Sequence, residues 1–161
     1  MKPLVFQTDF GLVDGAVSAM YGVAYTVSPN LKIHDLTHDI TPFNIWEASY
    51  RLIQTINYWP EGTVFVSVVD PGVGSARRSI AVKTTAGQYI ITPDNGTLTH
   101  IKRMTGIAEA ESLMKASTVC RAAVKAILST AVMSMHSPAQ DLLPVSSTLQ
   151  VSALKCLLNL L

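Results

Sequence analysis

Residues 63–74 read Thr-Val-Phe-Val-Ser-Val-Val-Asp-Pro-Gly-Val-Gly, and this stretch decides the fold. Its first seven residues are mostly β-branched or aromatic, which predicts a central strand that is buried on both faces. Asp70 ends the apolar run, and the following Pro71 to Gly74 predict a tight, exposed loop. A buried strand of this kind is typical of a parallel sheet covered by helices.

Strand and helix patterns alternate on both sides of this stretch, up to Thr105. The predicted strands are Leu4–Thr8, Leu31–Leu36, Thr63–Val69, and a hairpin of Ser79–Thr84 and Gln88–Thr92 around Ala86-Gly87. The predicted helices are Asp14–Val27, Asn44–Tyr58, which Asn44 can cap, and Asn95–Met104. This order predicts an α/β fold of the Rossmann type, with a mostly parallel sheet and helices on both of its faces.

Length and composition limit the class of protein. The chain has 161 residues, of which 48% are hydrophobic, and a net charge of +1. These values suit one domain with an ordinary core, and they show no basic footprint for nucleic acid. Every apolar run is interrupted before it reaches membrane-spanning length, and the N-terminus does not resemble a signal peptide, so we expect a cytoplasmic protein. Cys120 and Cys156 imply neither a disulfide framework nor a zinc site.

The composition changes abruptly after Gly106. All nine glycines lie at or before Gly106, and all eleven aromatic residues lie at or before Tyr89. At average glycine usage the remaining residues would hold roughly four. Periodicity over about Ala108 to Met133 predicts a helix. We therefore predict two parts, a partial α/β domain over 1–106 and a different tail over 107–161.

Asp9 lies where the first predicted strand ends and the chain turns. Ligands of open α/β sheets bind beyond the carboxyl ends of the strands. A carboxylate accepts hydrogen bonds from two adjacent hydroxyls, which suits the diol of a ribose. An Asx turn or a helix cap is the alternative role for such an aspartate.

Asp70 and Arg77 flank the glycine-rich loop that follows the central strand. Arg77 is close enough along the loop to fold back onto Asp70, and an adjacent guanidinium favours a charged carboxylate and fixes its orientation. Such a pair can orient a water molecule, or it can be a structural clamp of the loop.

Four segments, in this order and spacing, resemble the S-adenosylmethionine hydrolase family. They are Thr8-Asp9-Phe10-Gly11 with Asp14-Gly15, Asp35-Leu36-Thr37-His38 with Ile40-Thr41-Pro42-Phe43, Gly62-Thr63-Val64-Phe65 through Val69-Asp70-Pro71-Gly72-Val73-Gly74 to Arg77, and Pro93-Asp94-Asn95-Gly96. The resemblance covers about two-thirds of the chain. This family, also called hydroxide adenosyltransferases, is related to the fluorinases and chlorinases.

The resemblance implies a reaction and a set of site residues. Water attacks the ribose C5′ of S-adenosylmethionine and releases adenosine and L-methionine, with no cofactor and no metal. It implies that Asp9 binds the ribose, and that Asp70 and Arg77, together with a histidine, surround the attacking water. The halogenating relatives lack an aspartate at the position of Asp70, and a carboxylate repels a halide, so Asp70 with Arg77 favours hydrolysis.

Three further residues are candidates for the site, and two of them have a second reading. Phe43 matches an aromatic residue that the family places near the substrate, or it belongs to the core. Asp14 approaches the methionine amine, or it caps a helix. Asn95, with Gly96, forms a turn that lines the site. We interpret His34 and His38 as structural, because a metal site requires more convergent ligands.

The sequence departs from the family in its tail. The family histidine belongs to a Phe-His-Gly-Arg-Asp motif that is absent here, and the neighbours of His136 do not match it. Family members also have a second, mostly β domain, and their sites form between subunits of a typical homotrimer. We expect this chain to lack that domain and the end of the first one, and therefore to be inactive or impaired. The alternatives are a non-catalytic product of a damaged gene and a nucleoside-binding remnant.

The tail is predicted to be family sequence translated in the wrong reading frame. Synonymous codons for Lys125 to His136, with each boundary moved back by one nucleotide, can spell Ser-Tyr-Thr-Phe-His-Gly-Arg-Asp-Val-Tyr-Ala, which contains the missing motif. The direction fits the loss of one nucleotide, or the gain of two, near the codons for Ala108 to Leu113. A genuine new helical tail is the alternative.

Overall fold

The computed structural model of the protein describes residues 2–27, 29–72 and 77–112. The strands are β1 (Leu4–Thr8), β2 (Ile33–Thr37), β3 (Val64–Val68), β4 (Ser79–Thr84), β5 (Tyr89–Pro93) and β6 (Ile107–Ser112). The helices are α1 (Ala16–Val27), α2 (Ile45–Thr55), which continues as a 3₁₀ turn over Ile56–Tyr58, and α3 (Thr99–Met104). No helix within the described ranges is long and apolar enough to cross a membrane.

The strands form one six-stranded sheet in the order β2-β1-β3-β5-β4-β6. The pairs β1–β2, β1–β3 and β3–β5 are parallel, whereas β4 pairs antiparallel with β5 and with β6. The prediction of a mostly parallel sheet is therefore confirmed. The stretch that decided the prediction becomes β3, which lies between β1 and β5 and is buried along its whole length.

The two faces of the sheet are covered by different helices. Alternate residues of β1 point to opposite faces, because successive side chains of a strand do so. Phe6 lies in one core cluster with Met20 of α1. Val5 lies in the other cluster with Leu52 of α2 and Ile101 of α3. Helices on both faces, as predicted, bury the apolar run of the central strands.

Helix α2 begins as its sequence predicts. The Asn44 side chain accepts a hydrogen bond from the Glu47 N–H at 3.0 Å, which satisfies one of the free amides of the first turn. The Glu47 carboxylate in turn accepts from the Thr41 N–H at 3.0 Å, and this bond is the main cause of a lowered pKa of Glu47. Both contacts hold the β2–α2 connection in place.

The predicted hairpin is also confirmed. Strands β4 and β5 pair antiparallel, with Val82 opposite Ile90. Gly87 turns the chain with φ +84°, in the left-handed region that glycine adopts without a steric cost.

The predicted helix from about Ala108 is wrong over its first residues. Ile107–Ser112 form β6, which pairs with β4 so that Val82 lies opposite Ala110. Helix propensity is a weak preference, and the unpaired backbone groups of β4 outweigh it by offering hydrogen bonds to a second strand. The sheet therefore includes six residues beyond the boundary predicted at Gly106. The rest of the predicted helix lies outside the described residues, and the division of the chain into two parts stays a prediction.

Candidate functional site

Two aspartates follow neighbouring parallel strands at the same edge of the sheet. Thr8 at the end of β1 lies opposite Val68 at the end of β3. Asp9 comes directly after β1, and Asp70 comes two residues after Val68. The two carboxylates are close enough for the charge of Asp70 to contribute to raising the pKa of Asp9. The structure therefore brings these two predicted site residues together.

The Asp9 side chain is 7% exposed, and a backbone amide from another connection holds it. Its Oδ2 accepts a hydrogen bond from the Phe43 N–H at 2.7 Å. Burial is the largest cause of the raised pKa of Asp9; the hydrogen bond from Phe43 opposes it, and the Asp70 charge adds to it. This side chain spans two connections, β1–α1 and β2–α2, so it does more than cap a local turn.

Phe43 is exposed, not part of the core. Its side chain retains 51% of its accessible surface, so the core reading of this residue is wrong. Its φ is +65°, a left-handed conformation that is uncommon for a residue with a bulky side chain. Strained backbone of this kind persists only where neighbouring contacts hold it, and it clusters at ligand sites. Here the bond from its N–H to Asp9 is one such contact.

Asp14 contacts the first turn of α1. Its Oδ1 accepts from the Ala16 N–H at 2.8 Å, which satisfies the first amide of the helix from a position just before the N-cap. The side chain is exposed. A contact of its other oxygen with a substrate amine stays a prediction.

Arg77 folds back onto Asp70, as the sequence predicted. The guanidinium contacts Asp70 Oδ1 directly, and the same oxygen accepts from the Gly72 N–H at 2.9 Å. The arginine lies so close to Gly72 that a Cβ there would come within 2.6 Å of Nη2. A side chain at position 72 would therefore displace the guanidinium from its present position. Residues 73–76 of the loop lie outside the described ranges.

Asn95 uses its side chain to hold the end of β3. Its Nδ2 donates to the Val69 carbonyl at 2.8 Å, and its Oδ1 accepts from the N–H and the hydroxyl of Thr97 at 3.1 and 2.7 Å. The carbonyl that it binds belongs to the residue before Asp70. Both oxygen and nitrogen are thus engaged within the protein, at the edge of the site.

A group of side chains beside Asp9 includes Tyr21, which lies in none of the sequence motifs. The Thr8 hydroxyl is 2.8 Å from His38 Nδ1, and His38 Nε2 is 3.0 Å from Asp35 Oδ1. The other oxygen of Asp35 accepts from the Tyr21 hydroxyl. Within residues 2–27, 29–72 and 77–112, no cluster of three or more His, Cys, Asp or Glu side chains is arranged to hold a metal.

Exposed apolar side chains lie on the β1–α1 connection and in the first turn of α2. The connection holds Leu12 and Val13, which are 67% and 103% exposed, and Trp46 of α2 is 64% exposed. Apolar surface around a polar site is typical of a site that a ligand or a partner domain covers.

Sequence comparison relates the chain to known proteins. Residues 4–138 match the sequence model of the SAM hydroxide adenosyltransferase N-terminal domain. The (R)-S-adenosyl-L-methionine hydrolase of Methanocaldococcus jannaschii is 41% identical over 108 residues, which are 65% of this chain and 41% of that protein. A fluorinase of Actinoplanes sp. is 29% identical over 129 residues, which are 66% of this chain and 43% of that protein.

Solved structures show the same fold. The crystal structure of an uncharacterized conserved protein from Thermotoga maritima superposes with a TM-score of 0.71 at 32% identity, covering 84% of this chain and 55% of that one. A conserved hypothetical protein from Thermus thermophilus gives 0.67 at 32% identity, covering 92% and 60%. The chain spans about two-fifths of the length of the curated relatives it matches.

Proposed function

The chain belongs to the S-adenosylmethionine hydroxide adenosyltransferase family, and from this premise we propose that it carries the ribose-binding and water-activating part of an S-adenosylmethionine hydrolase site. The substrate is S-adenosylmethionine, the products are adenosine and L-methionine, and the reaction uses no cofactor. The observation that carries the proposal is the pair of aspartates at the ends of β1 and β3, each held by a different partner: Asp9 by the Phe43 N–H, Asp70 by Arg77.

The chemistry suits this arrangement. A sulfonium is an excellent leaving group, so the nucleophile limits the reaction, and it must be oriented and relieved of a proton. A lone pair of water forms the bond to C5′ while the electrons of the C5′–S bond pass to sulfur, which leaves as the neutral thioether of methionine. Asp70, oriented by Arg77, holds the water, and the released proton passes through its carboxylate to solvent. The Asp9 carboxylate accepts hydrogen bonds from the ribose hydroxyls.

The remaining site residues take supporting roles. The exposed ring of Phe43 packs against the nucleoside, since its backbone is bound to the same Asp9 carboxylate. Asp14 offers the oxygen that is not bonded to Ala16 to the methionine amine. Asn95 acts by holding Val69, and through it Asp70, at the end of β3.

The test is incubation of the purified chain with S-adenosylmethionine and chromatography of adenosine and methionine. We expect slow turnover relative to an intact relative, because the Phe-His-Gly-Arg-Asp motif is absent and groups that act as a unit lose most of their effect together. Asp70→Asn should abolish it, and the exposed Asp39→Asn serves as the matched control. Turnover equal to that of an intact relative, abolished by Asp70→Asn, would show that the tail supplies a substitute.

Other results separate the alternatives. Adenosine binding by calorimetry without any product would favour a nucleoside-binding remnant. Neither binding nor a cooperative thermal transition would favour a non-catalytic product. Turnover that survives Asp70→Asn unchanged would refute the water-activating role of this residue.

A further inference from the structure

We propose that His38 is a positioning residue that holds Asp9 in place for the ribose, through an imidazole whose Nε2 carries a proton toward Asp35. The inference rests on the ribose-binding role proposed for Asp9. It concerns the chain of contacts from Tyr21 through Asp35 and His38 to Thr8, which none of the roles above uses.

The contacts form a line from the surface to the end of β1. His38 is 4% exposed and Thr8 is fully buried, whereas the Asp35 side chain is 41% exposed. The His38 imidazole lies between Thr8 and Asp35, with Nδ1 2.8 Å from the Thr8 hydroxyl and Nε2 3.0 Å from the Asp35 carboxylate. A histidine placed between a carboxylate and a hydroxyl has its ring orientation determined by both.

The partners assign the proton. Thr8 Oγ1 accepts a hydrogen bond from the Phe10 N–H at 3.2 Å, and its own hydrogen is available to donate to His38 Nδ1. A carboxylate only accepts, so the nitrogen that faces Asp35 must be the protonated one. Nε2 is off the line of an ideal hydrogen bond to Asp35, so this contact is mainly electrostatic. Burial raises the pKa of Tyr21 to about 12, with the bond to Asp35 as a second cause, so Tyr21 keeps its proton and donates it to this carboxylate.

The His38 backbone adds a second tie to the same loop. Its carbonyl accepts from the Gly11 N–H at 2.8 Å. His38 thus contacts the chain on both sides of Asp9, at Thr8 of β1 through the ring and at Gly11 through the carbonyl. Phe43, whose N–H binds Asp9, lies on the same β2–α2 connection as His38. Preorganised placement of a binding carboxylate depends on such supporting contacts, and small displacements weaken it strongly.

The first test is independent of any ligand. Nitrogen-15 NMR of the histidine side chains should show His38 as the Nε2–H tautomer, and Asp35→Ala, at a partly exposed position, should give a mixture of tautomers. Amide exchange at Phe10 and Gly11 should accelerate about tenfold in His38→Leu, because a buried hydroxyl loses its acceptor. His38→Asn keeps an acceptor near the position of Nδ1 and should restore most of the protection.

The second test measures adenosine binding by calorimetry. We expect the dissociation constant to rise about tenfold in His38→Leu, less in His38→Asn, and not at all in His34→Asn. His34 is exposed, and its ring lies against Trp59, away from the contacts of His38. A wild-type Nδ1–H tautomer, or equal effects of His38→Leu and His38→Asn, would overturn the proposal. If the wild-type chain binds no adenosine, the proposed function fails, while the tautomer and the amide exchange still decide whether His38 holds the loop.

Discussion

Replacement of Asn95 by alanine should both reduce the stability of the fold and displace the site. Asn95→Ala removes the donor to the Val69 carbonyl and the acceptor for both polar groups of Thr97. Val69 and Thr97 are fully buried, so these partners have little access to replacement water. The lost contact at Val69 also frees the backbone immediately before Asp70.

The expected cost follows from these three bonds. A buried polar group that loses its partner costs about 1–3 kcal/mol. The carbonyl of Val69 takes that cost in full, and the two Thr97 groups, which share one acceptor, add about 1 kcal/mol. The free energy of unfolding should therefore fall by about 2–4 kcal/mol. In a domain of this size the thermal midpoint falls by roughly 4 °C for each kcal/mol of lost stability, so we expect a decrease of about 8–16 °C.

Urea and thermal unfolding, followed by tryptophan fluorescence and circular dichroism, measure this loss. The matched control is Asp94→Ala at the preceding position, which breaks an ion pair with Arg78 at 2.9 Å between side chains 40% and 61% exposed. Such a pair contributes about 0–1 kcal/mol. If Asn95→Ala is no more destabilising than Asp94→Ala, the hydrogen bonds of Asn95 do not hold the end of β3, and the reasoning is refuted.

Four further predictions follow from the site and from the tail. Burial raises the pKa of Asp9, so the charged carboxylate destabilises the folded state; this cost is absent at low pH and appears as the pH rises through the raised pKa. Asp9→Asn should therefore stabilise the chain at pH 7, show no such gain under acid, and abolish adenosine binding. A variant that is destabilised at pH 7 would contradict this. Gly72→Ala should push Arg77 away from Asp70 and lower turnover by up to about 100-fold, with a small change in the thermal midpoint. Unchanged turnover would show that the contact between Arg77 and Asp70 only holds the loop in place. The purified chain should be poorly soluble or form loose oligomers on size exclusion, because apolar side chains beside the site are exposed. A monodisperse monomer with a sharp melt and a protease-resistant tail would contradict this. Sequencing the gene tests the predicted change of reading frame: the codons, shifted back by one nucleotide, should spell the Phe-His-Gly-Arg-Asp motif. Insertion of one nucleotide near the codons for Ala108 to Leu113 should then restore the reading frame and the hydrolase. If the shifted codons do not spell this motif, the tail is not family sequence in the wrong frame.

Local pattern was sufficient for the order of the elements and for one pair of site residues. The β-branched run of β3, the capping residue of α2 and the glycine turn between β4 and β5 each depend on neighbours within a few positions, and all three are confirmed. Arg77 reaches Asp70 because only a short loop separates them. In each case the residues that decide the structure are close together in the chain.

Tertiary contacts decided the rest. Residues 108–112 have a helical pattern but form a strand, because β4 offers an unpaired edge that no window around those residues contains. The bond between Asp9 and the Phe43 amide spans 34 positions, and that between Thr8 and His38 spans 30, so neither partner can be identified from its own neighbourhood. The sequence alone determined which residues end the strands, since local periodicity and turn chemistry are short-range. Only the folded sheet decided which of those ends meet, because strand order and register bring together residues that are far apart in the chain.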